Sequence, residues 1–72
     1  MTDDERSLLA KLAEAADGCT DAFLVGQGFD FDLMARVVRE RLATATPERA
    51  GGKPVEVTRL RITDVGRRAL AE

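Results

Sequence analysis

Between Val55 and Leu70 the hydrophobic period of the chain changes. An alternating run rich in β-branched residues reaches Ile62-Thr63-Asp64 and passes directly into Val65-Gly66-Arg67-Arg68-Ala69-Leu70, which reads as the opening of a helix. A strand that hands its last residues to a helix cap leaves no room for a linker, so the closing strand and the closing helix must share one core. At 72 residues the sequence holds one domain, 1–72, and a chain this short buries only about 60% of the surface it exposes when unfolded. Self-association is a natural supplement to so slight a core, and a homodimer is the expected state.

Upstream, the caps divide the chain. Thr2-Asp3-Asp4-Glu5 has the form of a capping box, and Leu8, Leu9, Leu12 and Ala16 follow at helical spacing, which predicts a helix from about Asp3 to Ala16 ended by Gly18. Thr20 is the cap of a second, short helix from Asp21 to about Gly26, broken by the turn Gly26-Gln27-Gly28. Asp30 caps a third, in which Phe31, Leu33, Met34, Ala35, Val37, Val38 and Leu42 fill a broad arc at about 100° per residue, opposite Asp32, Arg36, Arg39 and Glu40. Ala43 to Thr46 and Val55 to Thr63 read as two strands joined by a glycine loop, with Arg49 and Lys53 at the tip. Val55 and Val57 alternate in one phase and Leu60 and Ile62 in the other. Either a bulge lies near Thr58 or only the later part of the strand faces the core. Thr63 caps the last helix, where Val65, Ala69 and Leu70 are expected to dock on the first. Gly66 in its first turn costs about 1 kcal/mol relative to Ala, which points to a close approach of another element. The fold class is α+β.

Charge is segregated along the chain. Residues 1–35 carry two basic and eight acidic side chains, a net of −6, and residues 36–71 carry nine basic and four acidic, a net of +5. Two readings stay open: a basic face for phosphate, or charges of both signs that serve solubility. Arg36 and Arg39 are able to reach guanine edges or phosphates from the third helix, unless they belong to a solvated face with an Arg36–Glu40 pair four residues apart. Arg49, Lys53 and Arg59 belong to a ribbon that either contacts phosphate or discourages edge aggregation.

Several chemistries lack their residues. The chain has no His and no Tyr, one Cys, and no hydrolase or phosphate-loop motif, so no catalytic residues are expected. Gly26-Gln27-Gly28 lacks the third glycine of a dinucleotide fingerprint and follows a helix, not a strand. Asp30-Phe31-Asp32 begins like a calcium loop, but Met34 takes the third acidic position, so no metal and no cofactor is expected. Cys19 is read as a partly buried, inert thiol in a reducing cytosol. Composition is that of a soluble globular protein, 44% hydrophobic and 33% charged, with no apolar run near the roughly 20 residues a bilayer requires. The acidic, polar amino end is unlike a targeting peptide, and a cytoplasmic location away from the membrane is the expectation.

The order helix, helix, helix, two-stranded ribbon, short helix resembles a small winged helix-turn-helix domain, and specifically the DNA-binding module of MarR-type regulators. Leu8, Leu9 and Leu12 resemble that family's first helix, Thr20 the cap of its second, and Phe29 to Leu42 its recognition helix. Arg61-Ile62-Thr63-Asp64-Val65-Gly66-Arg67 resembles the Leu-Thr-x-x-Gly-Arg run that follows its wing. The resemblance implies a small bacterial transcription-regulatory protein that binds duplex DNA, with Arg36 and Arg39 at the groove and Arg49, Lys53 and Arg59 on the backbone. Departures exist. Arg41 stands where the family usually has glycine, the Asp-x-Arg wing-tip pattern is missing, the start of the third helix is acidic, and the long dimerising helices are absent. The acidic start of the third helix, the missing wing-tip pattern and the need for extra buried surface support an alternative expectation: a winged-helix module for protein contacts, an adaptor or dimerisation unit that does not bind DNA.

Overall fold

The computed structural model describes residues 1–49 and 56–72; the expected glycine loop, with Val55 and Lys53, lies outside the described residues. In chain order the elements are α1 (Asp3–Ala13), β1 (Cys19–Thr20), α2 (Asp21–Gly26), α3 (Phe31–Arg39), β2 (Ala43–Arg49), β3 (Glu56–Ile62) and α4 (Asp64–Ala71). The strands form one antiparallel sheet in the order β1-β3-β2. Among the described residues the domain is thus α+β, with four helices and three strands, where the sequence predicts two strands.

Each helix begins at the residue whose side chain satisfies its free N–H groups. The Thr2 hydroxyl accepts from the Glu5 amide (3.1 Å), while Glu5 Oε1 accepts from the Thr2 amide (3.2 Å), completing the capping box. Thr20 accepts from Phe23 N–H and Asp30 from Leu33 N–H. Thr63 does more than cap α4. Its hydroxyl accepts from Gly66 N–H (3.0 Å) and donates to the Arg41 carbonyl (2.7 Å), and its amide donates to the Leu42 carbonyl (3.0 Å), so one residue ties α4 to the junction of α3 and β2.

The ends of the elements depart from expectation. α1 stops at Ala13, three residues early, and Ala16 is exposed; the chain must leave the helix to bring Gly18 beneath β3. Gly18 turns with φ +81°, and a Cβ there would strike the Leu60 carbonyl oxygen. The residues beyond it form β1, with Cys19 opposite Leu60 and Thr20 opposite Arg59.

α3 ends at Arg39 rather than continuing to Leu42. Leu42 N–H donates to the Val37 carbonyl (2.9 Å) and Arg41 N–H to that of Val38 (3.0 Å), the two bonds of a Schellman motif. Its left-handed position is filled by Arg41 (φ 63°), not by glycine. A residue with a Cβ is strained there by about 1–2 kcal/mol, only part of which glycine's extra unfolded-state entropy offsets. Arg41→Gly is therefore expected to raise unfolding stability by about 0.5–1 kcal/mol, measured by urea denaturation. A loss of stability would show that the Arg41 side chain makes a contact outweighing its backbone strain.

The register of β2 and β3 is continuous from Ala43–Ile62 to Arg49–Glu56, so no bulge occurs at Thr58. The later part of β3 faces the core. Leu60 is buried and Ile62 half-buried on one face, whereas Arg59, Arg61 and Val57 alternate onto the other. Pro47 lies inside β2, where an edge position tolerates its missing N–H.

Leu8, Leu9 and Leu12 of α1 pack with Leu24, Val37 and Leu60 in the centre of the core. Cys19 is buried among them as a free thiol, 7% exposed. Ala69 and Leu70 seal the core from α4, with Arg6 Nη1 donating to the Leu70 carbonyl, but Val65 points to solvent, contrary to expectation. No described helix is long and apolar enough to cross a membrane.

Candidate functional site

Of the cations expected at a phosphate face, four lie among the described residues, and Arg59 stands apart from the other three. Arg36 and Arg39 are exposed on α3, and neither has an ion pair within 4 Å among the described residues. Arg49 closes β2 on the face shared by Ala43 and Ala45, the side toward α3. Arg59 lies on the opposite face of the sheet. Its Nε donates to Glu48 Oε1 at 2.8 Å and its Nη1 to the Asp17 carbonyl at 3.4 Å, so its charge is already answered. The hydrogen bond and charge of Glu48 hold the guanidinium still more firmly protonated than usual. Lys53 lies outside the described residues.

The Arg36–Glu40 pair expected along α3 does not close within 4 Å. Glu40 instead meets Glu5 of α1. Glu5 is only 3% exposed, and its Oε2 finds no donor among the described groups except a protonated Glu40. Hydrogen bonding to Glu40, helped by the Thr2 amide and hydroxyl and the charge of Arg36, holds the Glu5 carboxyl below its ordinary value despite burial. The same contact, with desolvation and the Glu5 charge, pushes Glu40 up.

The two shifts carry opposite pH dependence. The Glu5 interactions stabilise the fold above the ordinary carboxylate range and are lost as pH falls through its lowered pKa; the raised Glu40 favours the fold at low pH and loses that effect as pH rises through its own pKa. An amide at position 40 supplies the donor permanently. Glu40→Gln is expected to raise the melting temperature at neutral pH, with the gain shrinking as pH falls through the raised pKa at which the native Glu40 acquires its proton. A gain independent of pH would show that the two carboxyls do not share that proton.

Beside these charges lies an apolar feature that no sequence motif marks. Between α3 and the inner face of the sheet runs an open groove of about 390 Å³, walled on one side by Phe31, Ala35, Val38 and Arg39. Its floor and far side are Met34, Leu60, Ala45 and Thr58, with Asp21 at one end. Two small residues, Ala35 and Ala45, leave the space: larger side chains there would close it. Asp21 is fixed in place, since its Oδ1 accepts from the amides of Ala22 (2.8 Å) and Thr58 (3.3 Å). Phe31 stands at the rim, 63% exposed. A sequence signal for the groove existed in the breadth of the apolar arc on α3, wider than one helix contact can cover.

A second, shallower hollow lies near Arg59, lined by Cys19, Thr20, Gly18 and Phe23. The Phe23 ring is already capped by Lys11 Nζ at 5.8 Å from its centroid. No protein-family model, no curated protein and no solved structure matches this chain.

Proposed function

We propose that this chain is a winged helix-turn-helix domain whose working surface makes a protein contact rather than reading duplex DNA. The element order and the β1-β3-β2 sheet suit the winged-helix layout implied by the resemblance to MarR-type modules. The single observation that carries the protein-contact reading is Phe31, 63% exposed beside an open apolar groove on the helix that would otherwise enter the major groove. An aromatic side chain next to a pocket is the usual anchor of a protein interface. Duplex recognition draws its affinity mostly from phosphate neutralisation. Here Asp30 and Asp32 flank the entrance of α3, and Arg59 faces away, paired with Glu48.

DNA binding is the second reading, favoured by the exposed Arg36 and Arg39, which lack partners within 4 Å among the described residues. The discriminating experiment is fluorescence anisotropy of labelled mixed-sequence duplex across a salt series. Negligible affinity at low salt is the expected result. Binding that weakens steeply with salt and disappears in Arg39→Glu, with the fold intact, would overturn the protein-contact reading.

A further inference from the structure

The exposed side of α3 has a pattern that complements itself. Ala35 is the midpoint of Phe31–Arg39. Asp30 and Asp32 lie before it, Arg36 and Arg39 after it, and the apolar Phe31 and Val38, one before and one after it, both line the α3 wall of the groove. We propose that α3 is a homodimer interface in which two copies pack antiparallel across a two-fold axis at Ala35. This rests on the protein-contact reading and names its partner as a second copy of the chain.

Three observations point to that occupant. At about 1.5 Å rise per residue, Asp32 lies roughly 4.5 Å to one side of Ala35 and Arg39 roughly 6 Å to the other. A two-fold rotation therefore brings the partner's Arg39 almost level with Asp32, and the same contact recurs on the other side of the axis, as an isologous interface requires. A uniformly basic or acidic partner would meet like charge at one end of this helix; a reversed copy meets opposite charge at both, and the two helix dipoles also oppose favourably.

Ala35 at the crossing point presents only a methyl group, so the two helices are able to approach closely. The rotation also carries Phe31 to the mouth of the partner's groove, beside Val38 and Arg39, where its ring gains apolar cover and a guanidinium. None of these side chains except Val38 is engaged by the core: Phe31, Asp32, Ala35, Arg36 and Arg39 are all exposed. The contact adds buried surface to a chain too short to bury much on its own.

The test is sedimentation velocity of the full chain over a concentration series, with circular dichroism as the check on folding. The native chain is expected to reach twice the monomer mass. Asp32→Arg alone and Arg39→Asp alone place like charges opposite each other, and each is expected to weaken the dimer at least tenfold. Mixed in equal amounts, the two variants restore both ion pairs and are expected to form a heterodimer. Phe31→Ser is expected to weaken association similarly with an unchanged spectrum.

A chain that stays monomeric at every concentration overturns the proposal, as does a dimer indifferent to all three substitutions. A monomer without duplex binding overturns the dimer alone. A monomer that binds duplex in a salt-sensitive way overturns the protein-contact reading as well.

Discussion

Gly66→Ala is expected to destabilise the domain by about 2 kcal/mol or more, although the substitution puts a better helix former into a helix. Propensity alone predicts the opposite sign, a gain of about 1 kcal/mol. Packing decides. A Cβ at Gly66 would strike the Leu42 carbonyl oxygen and approach Ile62 Cγ1 to 2.8 Å. The first obstacle is backbone, held where it is by the Schellman turn that ends α3 and by its bond from Thr63 N–H. Moving it would break the joint between α3, β2 and α4, so the overpacking cost of about 1–3 kcal/mol and the lost bonds together exceed the propensity gain. In a chain this small, 2 kcal/mol corresponds to roughly 8–16 °C in melting temperature. Gly18→Ala is expected to be at least as damaging. Its Cβ would meet the Leu60 carbonyl oxygen and lie 2.7 Å from Arg61 Cγ, and its φ of +81° adds left-handed strain. A higher melting temperature for Gly66→Ala would mean that α4 does not rest on the Leu42 carbonyl.

Leu60→Ala is the second large effect. Leu60 lies on the central strand, opposite Cys19 of β1 and Ala45 of β2, and its side chain is fully buried in the core. Truncation removes transfer energy and leaves a cavity that helices on one side and paired strands on the other prevent from collapsing, at a cost of about 2–5 kcal/mol. A domain of 72 residues has about 4–11 kcal/mol in total at typical stability per residue. The variant is therefore expected to lose about half its stability or more, seen as a lower urea midpoint with an unchanged slope. Leu60 also floors the groove. A loss well under 1 kcal/mol would mean that the sheet packs on the helices less closely than its burial implies.

Much of the architecture was legible because it rests on local chemistry. Thr2, Thr20, Asp30 and Thr63 each accept the hydrogen bond expected of a cap, and Gly66 is the close approach its placement suggested. Less local features were not legible. The two-residue strand Cys19–Thr20 is too short to show a period, and it exists only because β3 offers an edge to pair with. Ala13 to Ala16 are good helix formers, yet the helix ends early so that Gly18 can pass under β3. Alternation in β3 placed Arg59 and Arg61 together on one face, but which face α3 would cover depends on tertiary packing. That choice separates Arg59 from Arg39. The broad apolar arc on α3 hints at an uncovered strip, but the groove itself is lined by Ala35 of α3 and Ala45 of β2 together, a relation no single segment encodes.

The proposed role makes α3 and the adjoining sheet face a protein-binding surface and not a phosphate-binding one. The most direct measurement is amide-resolved NMR on one isotopically labelled sample, followed first through a concentration series and then through addition of mixed duplex. The expected result is concentration-dependent shifts confined to Phe31–Arg39 and the neighbouring inner face of β2, with no response to duplex at low salt. Resonances that ignore concentration but move on duplex addition at Arg36, Arg39 and Arg49 would contradict it.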